Sequence, residues 1–160
     1  MAMAKNNLKI GSKVTNLSLP STEGSEFSLK DLLGKKVVLY FYPKDSTPGC
    51  TVQGQEFSKL SAQFKKHNTE VFGISRDSMN SHNKFKEKQN FKIDLLSDEQ
   101  ETACKMFDVI HEKNMYGKKV MGVVRSTFVI DEKGVLLNEW RKVKAEGHAA
   151  EVLNYIKSLK

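Results

Sequence analysis

The chain has 160 residues, 39% hydrophobic and 28% charged, with 26 Lys and Arg against 19 Asp and Glu for a formal charge of +7. This fits one globular domain, 1–160, whose nine Phe, four Tyr and one Trp can fill a core without disulfide staples. Two cysteines, Cys50 and Cys104, exclude a disulfide-built secreted scaffold and a four-thiolate zinc site.

The first residues, Met1 to Asn7, lack the apolar stretch of a secretory leader. The longest apolar run, Val37 to Tyr42, is too short for a bilayer. The expectation is a cytoplasmic protein with no membrane partner, where two free thiols are at home. The lysines are dispersed, as in Lys35-Lys36, Lys65-Lys66 and Lys118-Lys119, without interleaved aromatics. They read as a solvated surface, and no nucleic-acid partner is expected.

In chain order, Leu17–Leu19 and Phe27–Leu29 suggest a short N-terminal hairpin. Val37–Tyr42, rich in β-branched and aromatic residues, predicts a strand buried on both faces and ending at Pro43. Thr47-Pro48 reads as a helix start, Thr47 as N-cap and Pro48 at the first helical position. Phe57, Leu60 and Phe64 carry that helix to about Lys66. Val71–Ser75 is the next strand, so the order strand, helix, strand predicts a right-handed parallel unit.

Asp77 or Ser78 caps a helix from about Met79 to Gln89, and Leu95-Leu96 is a short strand. Ser97-Asp98-Glu99-Gln100 resembles a capping box opening a short helix that carries Cys104. Met115–Met121, with Gly117, Lys118 and Lys119, reads as a loop. Val123–Ile130, a turn at Asp131–Gly134, and Val135–Trp140 read as an antiparallel hairpin. Ala149, Val152, Ile156 and Leu159 mark a closing helix. The sum is an α/β protein with a central mixed β-sheet flanked by helices, the connectivity of a thioredoxin-like fold.

Cys50 falls in the first turn of the helix that follows the Val37–Tyr42 strand. Free backbone N–H groups and the positive end of a helix dipole favour a thiolate at such a position. Gly49 leaves a substrate room to approach those N–H groups. Arg125, within Gly122–Asp131, sits in an apolar run where a cation needs either a partner or a route to solvent.

Pro43-Lys44-Asp45-Ser46-Thr47-Pro48-Gly49-Cys50 matches the Pro-x-x-x-Thr-x-x-Cys signature of peroxiredoxins. Phe41-Tyr42-Pro43 followed by Thr47-Pro48-Gly49-Cys50-Thr51 resembles the peroxiredoxin Q branch, also called bacterioferritin comigratory protein. The likeness runs from Ile10-Gly11 through the Gly122–Asp131 segment to the last helix.

The resemblance implies a peroxide substrate, reduced by attack of the Cys50 thiolate on one peroxide oxygen, with a sulfenic acid left on Cys50. It implies catalytic roles for Cys50, Thr47, Arg125 and Pro43. Thr47 would donate its hydroxyl to the peroxide, Arg125 would supply its cation, and Pro43 would shield the sulfur from water. Gly49 and Pro48 would line the substrate site, with the Gly49 and Cys50 N–H groups as donors. No cofactor is implied, and no Walker-type loop or Gly-x-Gly-x-x-Gly fingerprint occurs. His67, His82, His111 and His148 lack metal-ligand spacing, and Asp45 is either a tuner of the loop or a solvated acid.

The pattern breaks at Gln55, where many members of the branch place a resolving cysteine. A one-cysteine cycle is therefore expected, with thioredoxin, glutaredoxin or glutathione as reductant. Cys104 as resolving cysteine is the alternative cycle. A redox sensor or chaperone-like protein signalling through Cys50 is the alternative function. A thiol–disulfide oxidoreductase is disfavoured because no Cys-x-x-Cys is present. Resemblance to the branch implies a monomer or weak dimer.

Overall fold

The computed structural model describes residues 8–14 and 17–159. The segment read above for a leader, 1–7, lies outside them. Strands β1 (Ser18–Pro20) and β2 (Glu26–Ser28) form the expected antiparallel hairpin, followed by a 3-10 turn at Leu29–Leu32. Next come β3 (Lys36–Phe41), α1 (Pro48–Lys66), β4 (Thr69–Ser75), α2 (Met79–Gln89), β5 (Asp94–Ser97) and α3 (Thr102–Met106). The C-terminal part holds β6 (Ile110–Met115), β7 (Lys118–Val123), β8 (Ser126–Ile130), β9 (Leu136–Arg141) and α4 (His148–Ser158).

The central sheet runs β5-β4-β3-β8-β9. β3, β4 and β5 are parallel, and β8 and β9 are antiparallel to their neighbours. Alternation along β3 divides the apolar interior in two. Val37, Leu39 and Phe41 face a core with Phe107, Phe128 and Cys104. Val38, Tyr40 and Tyr42 face another with Cys50, Phe57, Phe64 and Ile156. No helix of the described residues is long and apolar enough to cross a membrane.

Three sequence readings need correction. Val123–Ile130 is broken into β7 and β8, so Arg125 lies in the joint between strands. The segment read as a loop at Met115–Met121 is mostly strand. Its tip, Tyr116-Gly117, has positive φ at both residues and closes a β6–β7 hairpin. Its polar, lysine-rich alternation hid it. α3 starts later than the capping box suggested, at Thr102. Its leading N–H groups are capped by Asp98, whose carboxylate accepts from Ala103 N at 3.0 Å and Cys104 N at 2.8 Å.

The first half of α1 is pinned to the end of α2. Gln55 Nε2 donates to Gln89 Oε1 at 2.9 Å, and Lys92 N donates to Ser58 Oγ at 2.6 Å. Between them the Phe91 ring presses on the helix backbone at Gly54. A Cβ there would lie 2.4 Å from Phe91 Cζ. Phe91 cannot swing aside, because it is buried and edge-packed on Phe85. Gly54→Ala should therefore destabilise the protein by about 1–3 kcal/mol despite Ala's better helix propensity. Urea unfolding measures this, and a stabilised variant would show that the Phe91 contact yields freely.

Candidate active site around Cys50

Pro48 opens α1, so Cys50 is its third residue and the Gly49 and Cys50 amides are among the leading N–H groups that lack an intrahelical acceptor. The first helical bond is Thr51 N to Thr47 O, 2.9 Å. Cys50 is 2% exposed. Over it lies Arg125, brought from the β7–β8 joint because β8 pairs with β3. Arg125 Nη2 is 3.5 Å from Cys50 Sγ, and Nη1 donates to Gln53 Oε1 at 2.6 Å. The guanidinium runs so close to the helix backbone that a Cβ on Gly49 would sit 3.1 Å from Nη2. Gly49 thus makes room for the cation.

Thr47 is the N-cap, but its side chain makes no capping bond. Its hydroxyl donates to Lys44 O at 2.8 Å, which folds the loop back on itself. Its oxygen therefore keeps lone pairs but has no spare proton, which corrects the donor role expected of Thr47: with its proton on Lys44 O it can only accept. Pro43 and Gly49 are half-buried and Pro48 is exposed. Cys50, Arg125 and Gly49 thus meet, with Pro43, Thr47 and Pro48 on the loop and helix start that carry the thiol.

The sequence reading missed Gln53, fully buried one helical turn after Cys50, whose Nε2 has no hydrogen-bond partner among the described residues. A polar residue on a helix face otherwise lined by Cys50, Phe57 and Phe64 is the signal that would have found it. Lys113 on β6 was also missed. Its Nζ donates to Val123 O at 2.6 Å, and burial, then the nearby Arg125 charge, lower its pKa. On the sheet face beneath, burial, and secondarily the charge of Cys50, raise the Tyr40 phenol pKa.

Cys104 is not brought to Cys50. It lies fully buried in the core on the opposite face of the sheet. Burial, reinforced by the Asp98 carboxylate, pushes its thiol pKa far up. Both cysteines are free. Asp45, left open between tuner and solvated acid, is buried and bonded to the buried His82 at 2.7 Å. His148 is also buried, bonded to Thr127 Oγ1 at 2.8 Å, and desolvation lowers its pKa.

A thiol at the head of a helix, met by a guanidinium from a neighbouring strand joint on a thioredoxin-like sheet, is the arrangement of an enzyme that works through sulfur. Residues 10–138 match the AhpC/TSA family. A putative peroxiredoxin Bcp of Coxiella burnetii is 48% identical over 92% of this chain and 97% of its own. The solved peroxiredoxin Q of Xylella fastidiosa, a mutant form, superposes with TM-score 0.90 at 44% identity, covering 95% and 97% of the two chains. A Xanthomonas campestris bacterioferritin comigratory protein, studied for its alkyl peroxide reduction activity, superposes at 0.87 with 45% identity over 94% and 96%.

The chain belongs to the AhpC/TSA family, among its peroxiredoxins of the Bcp, or peroxiredoxin Q, kind. It is accordingly a thiol-dependent peroxidase.

The burial of Cys104 makes its reactivity predictable. In the native protein, thiol labelling should modify Cys50 quickly and Cys104 only on unfolding, when its apolar surroundings are lost. Time-resolved intact mass with a small alkylating agent reads this directly. Equal native rates at both thiols would contradict it.

Proposed function

We propose that the chain reduces organic hydroperoxides and hydrogen peroxide by a one-cysteine cycle at Cys50, within a single domain and in the cytoplasm. The observation that carries this reading is the 3.5 Å contact between Arg125 Nη2 and Cys50 Sγ at the head of α1. Alkyl peroxide reduction by the Xanthomonas relative supports the substrate class. The two free thiols fit the compartment.

In this mechanism the Cys50 thiolate attacks the nearer peroxide oxygen, forming the S–O bond as the O–O bond breaks. The leaving oxygen takes a proton and departs as alcohol or water. Negative charge moves from sulfur to that oxygen, so fixed donors act mainly on the transition state. Arg125 and the Gly49 and Cys50 N–H groups are those donors. The Thr47 oxygen, its own proton held by Lys44 O, accepts from the hydroperoxide O–H. Pro43 limits water at the sulfur, and Pro48 starts the helix and borders the opening. Gln53 holds the guanidinium beside the sulfur by accepting from Nη1.

The product is Cys50 sulfenic acid. An external thiol condenses with it, releasing water and leaving a mixed disulfide, and a second thiol completes the reduction. Thioredoxin, glutaredoxin and glutathione are the reductants of matching chemistry. Gln55 holds Gln89 where the branch often has a second thiol, and Cys104 is sequestered across the sheet. A monomer or weak dimer is the expected state, from the resemblance to the branch.

Steady-state peroxide turnover with thioredoxin, glutaredoxin and glutathione systems tests the cycle. Cys50→Ser should abolish turnover, and Cys104→Ser should leave it within about twofold of wild type, as expected of a thiol held in a core away from the chemistry. Loss of turnover in a folded Cys104→Ser would restore the two-cysteine cycle. Stoichiometric oxidation of Cys50 without recycling by any thiol would favour a sensor.

A further inference from the structure

The loop from β3 to Cys50 contains one buried acid, and its contacts go beyond what folding a tight turn needs. Asp45 is 5% exposed. Its Oδ1 accepts from Tyr42 Oη at 2.6 Å, and its Oδ2 from Ser81 Oγ at 2.7 Å. The same Oδ2 lies 2.7 Å from Nδ1 of His82, which has no exposed surface. The backbone N–H of Asp45 donates to Asp77 Oδ2 at 2.8 Å, and Asp77 is itself held by Ser75 Oγ at 2.6 Å.

The far nitrogen of His82, Nε2, is 2.9 Å from Leu96 O on β5. A carbonyl only accepts, so Nε2 carries a proton. Nδ1 then faces a carboxylate oxygen, and the contact is attractive only with a second proton between them. The Asp45–His82 pair therefore holds one proton more than a neutral imidazole and a free carboxylate would. The pair is buried and neutral as a whole, while either member alone would be an unpaired buried group. Asp77 and Tyr42 are the other titratable groups facing it.

The residue after Asp45 shows what is being held. Ser46 has φ +64, a left-handed conformation that costs a side-chain-bearing residue about 1 kcal/mol. Asp45 fixes one side of it. Thr47, bonded back to Lys44 O, fixes the other. Pro43, Thr47 and the N-terminus of α1 hang on this turn.

We propose that Asp45 and His82 are positioning residues for peroxide reduction: their shared-proton pair ties the Pro43–Thr47 loop to α2 and β5 and so sets the peroxide geometry at Cys50. The inference rests on Cys50 being the peroxide-reactive thiol.

The test compares two reactions of Cys50 in a Cys104→Ser background: oxidation by hydrogen peroxide and alkylation by iodoacetamide. Alkylation needs the thiolate but not the arrangement around the O–O bond. His82→Ala should slow oxidation by about tenfold or more while alkylation stays within about threefold, since a misplacement far from the chemistry acts on the oriented step alone. His82→Asn, whose amide can still donate toward Asp45, should recover most of the oxidation rate.

Ser81→Ala removes one donor from the same carboxylate at a half-buried position and should show the split more weakly, which covers an unfolded His82→Ala. A folded His82→Ala with unchanged oxidation would overturn the inference, as would parallel loss of both reactions or no recovery in folded His82→Asn. An unchanged oxidation rate in Ser81→Ala, where His82→Ala does not fold, would also overturn it. A wild-type Cys50 that does not react with peroxide would instead overturn the reading beneath it.

Discussion

The site depends on how closely the Arg125 guanidinium approaches the start of α1. One nitrogen reaches the Cys50 sulfur and another is held by Gln53, while the cation lies so close to Gly49 that a Cβ there would press on it. A cation in a half-buried position is costly unless each side meets an acceptor, and here the acceptors are the Cys50 sulfur and a buried amide oxygen. The sheet order makes this meeting possible. β8 runs antiparallel to β3, and the joint that precedes β8 opens beside the turn that leaves β3. Substituting Gly49 would intrude on the cation.

The same sheet keeps the two thiols apart. Alternating side chains on β3 assign Cys50 to one core and Cys104 to the other, so a disulfide between them requires the packing of both to open. Around Cys50 the helix is additionally clamped by Phe91, Gln89 and Lys92. The proposed recycling by a thiol from outside the chain is compatible with this arrangement.

Much of the fold was legible because periodicity and punctuation agreed. The apolar Val37–Tyr42 run, the Thr47-Pro48 helix start and the Phe57-Leu60-Phe64 stripe gave β3 and α1 nearly to the residue. The β6–β7 hairpin escaped because its strands are polar and pack mainly on each other, leaving little hydrophobic alternation. Arg125 was picked out as an oddity in an apolar run. That the run breaks there, and that the break supplies the approach to sulfur, depends on pairing between distant strands.

Thr47 was placed correctly as a cap position, but the sequence could not show that its proton goes to Lys44. Asp45 and His82 were ambiguous for a similar reason. Burial of a loop acid is decided by what α2 presents to it, and that contact spans 37 positions of sequence.

The proposed role of the Arg125 cation, held against Cys50, is to make this thiol a fast reductant of peroxides. The direct measurement is the second-order rate constant for hydroperoxide oxidation of Cys50 in folded Arg125→Ala and Arg125→Lys. The account predicts a fall of about 10²–10³-fold for Ala, the usual effect of removing one preorganised donor. Lys should restore only part of the loss, because a single ammonium cannot span both Sγ and Gln53. A rate for Arg125→Ala within about threefold of wild type would contradict the account, since such a small change leaves no room for a preorganised donor.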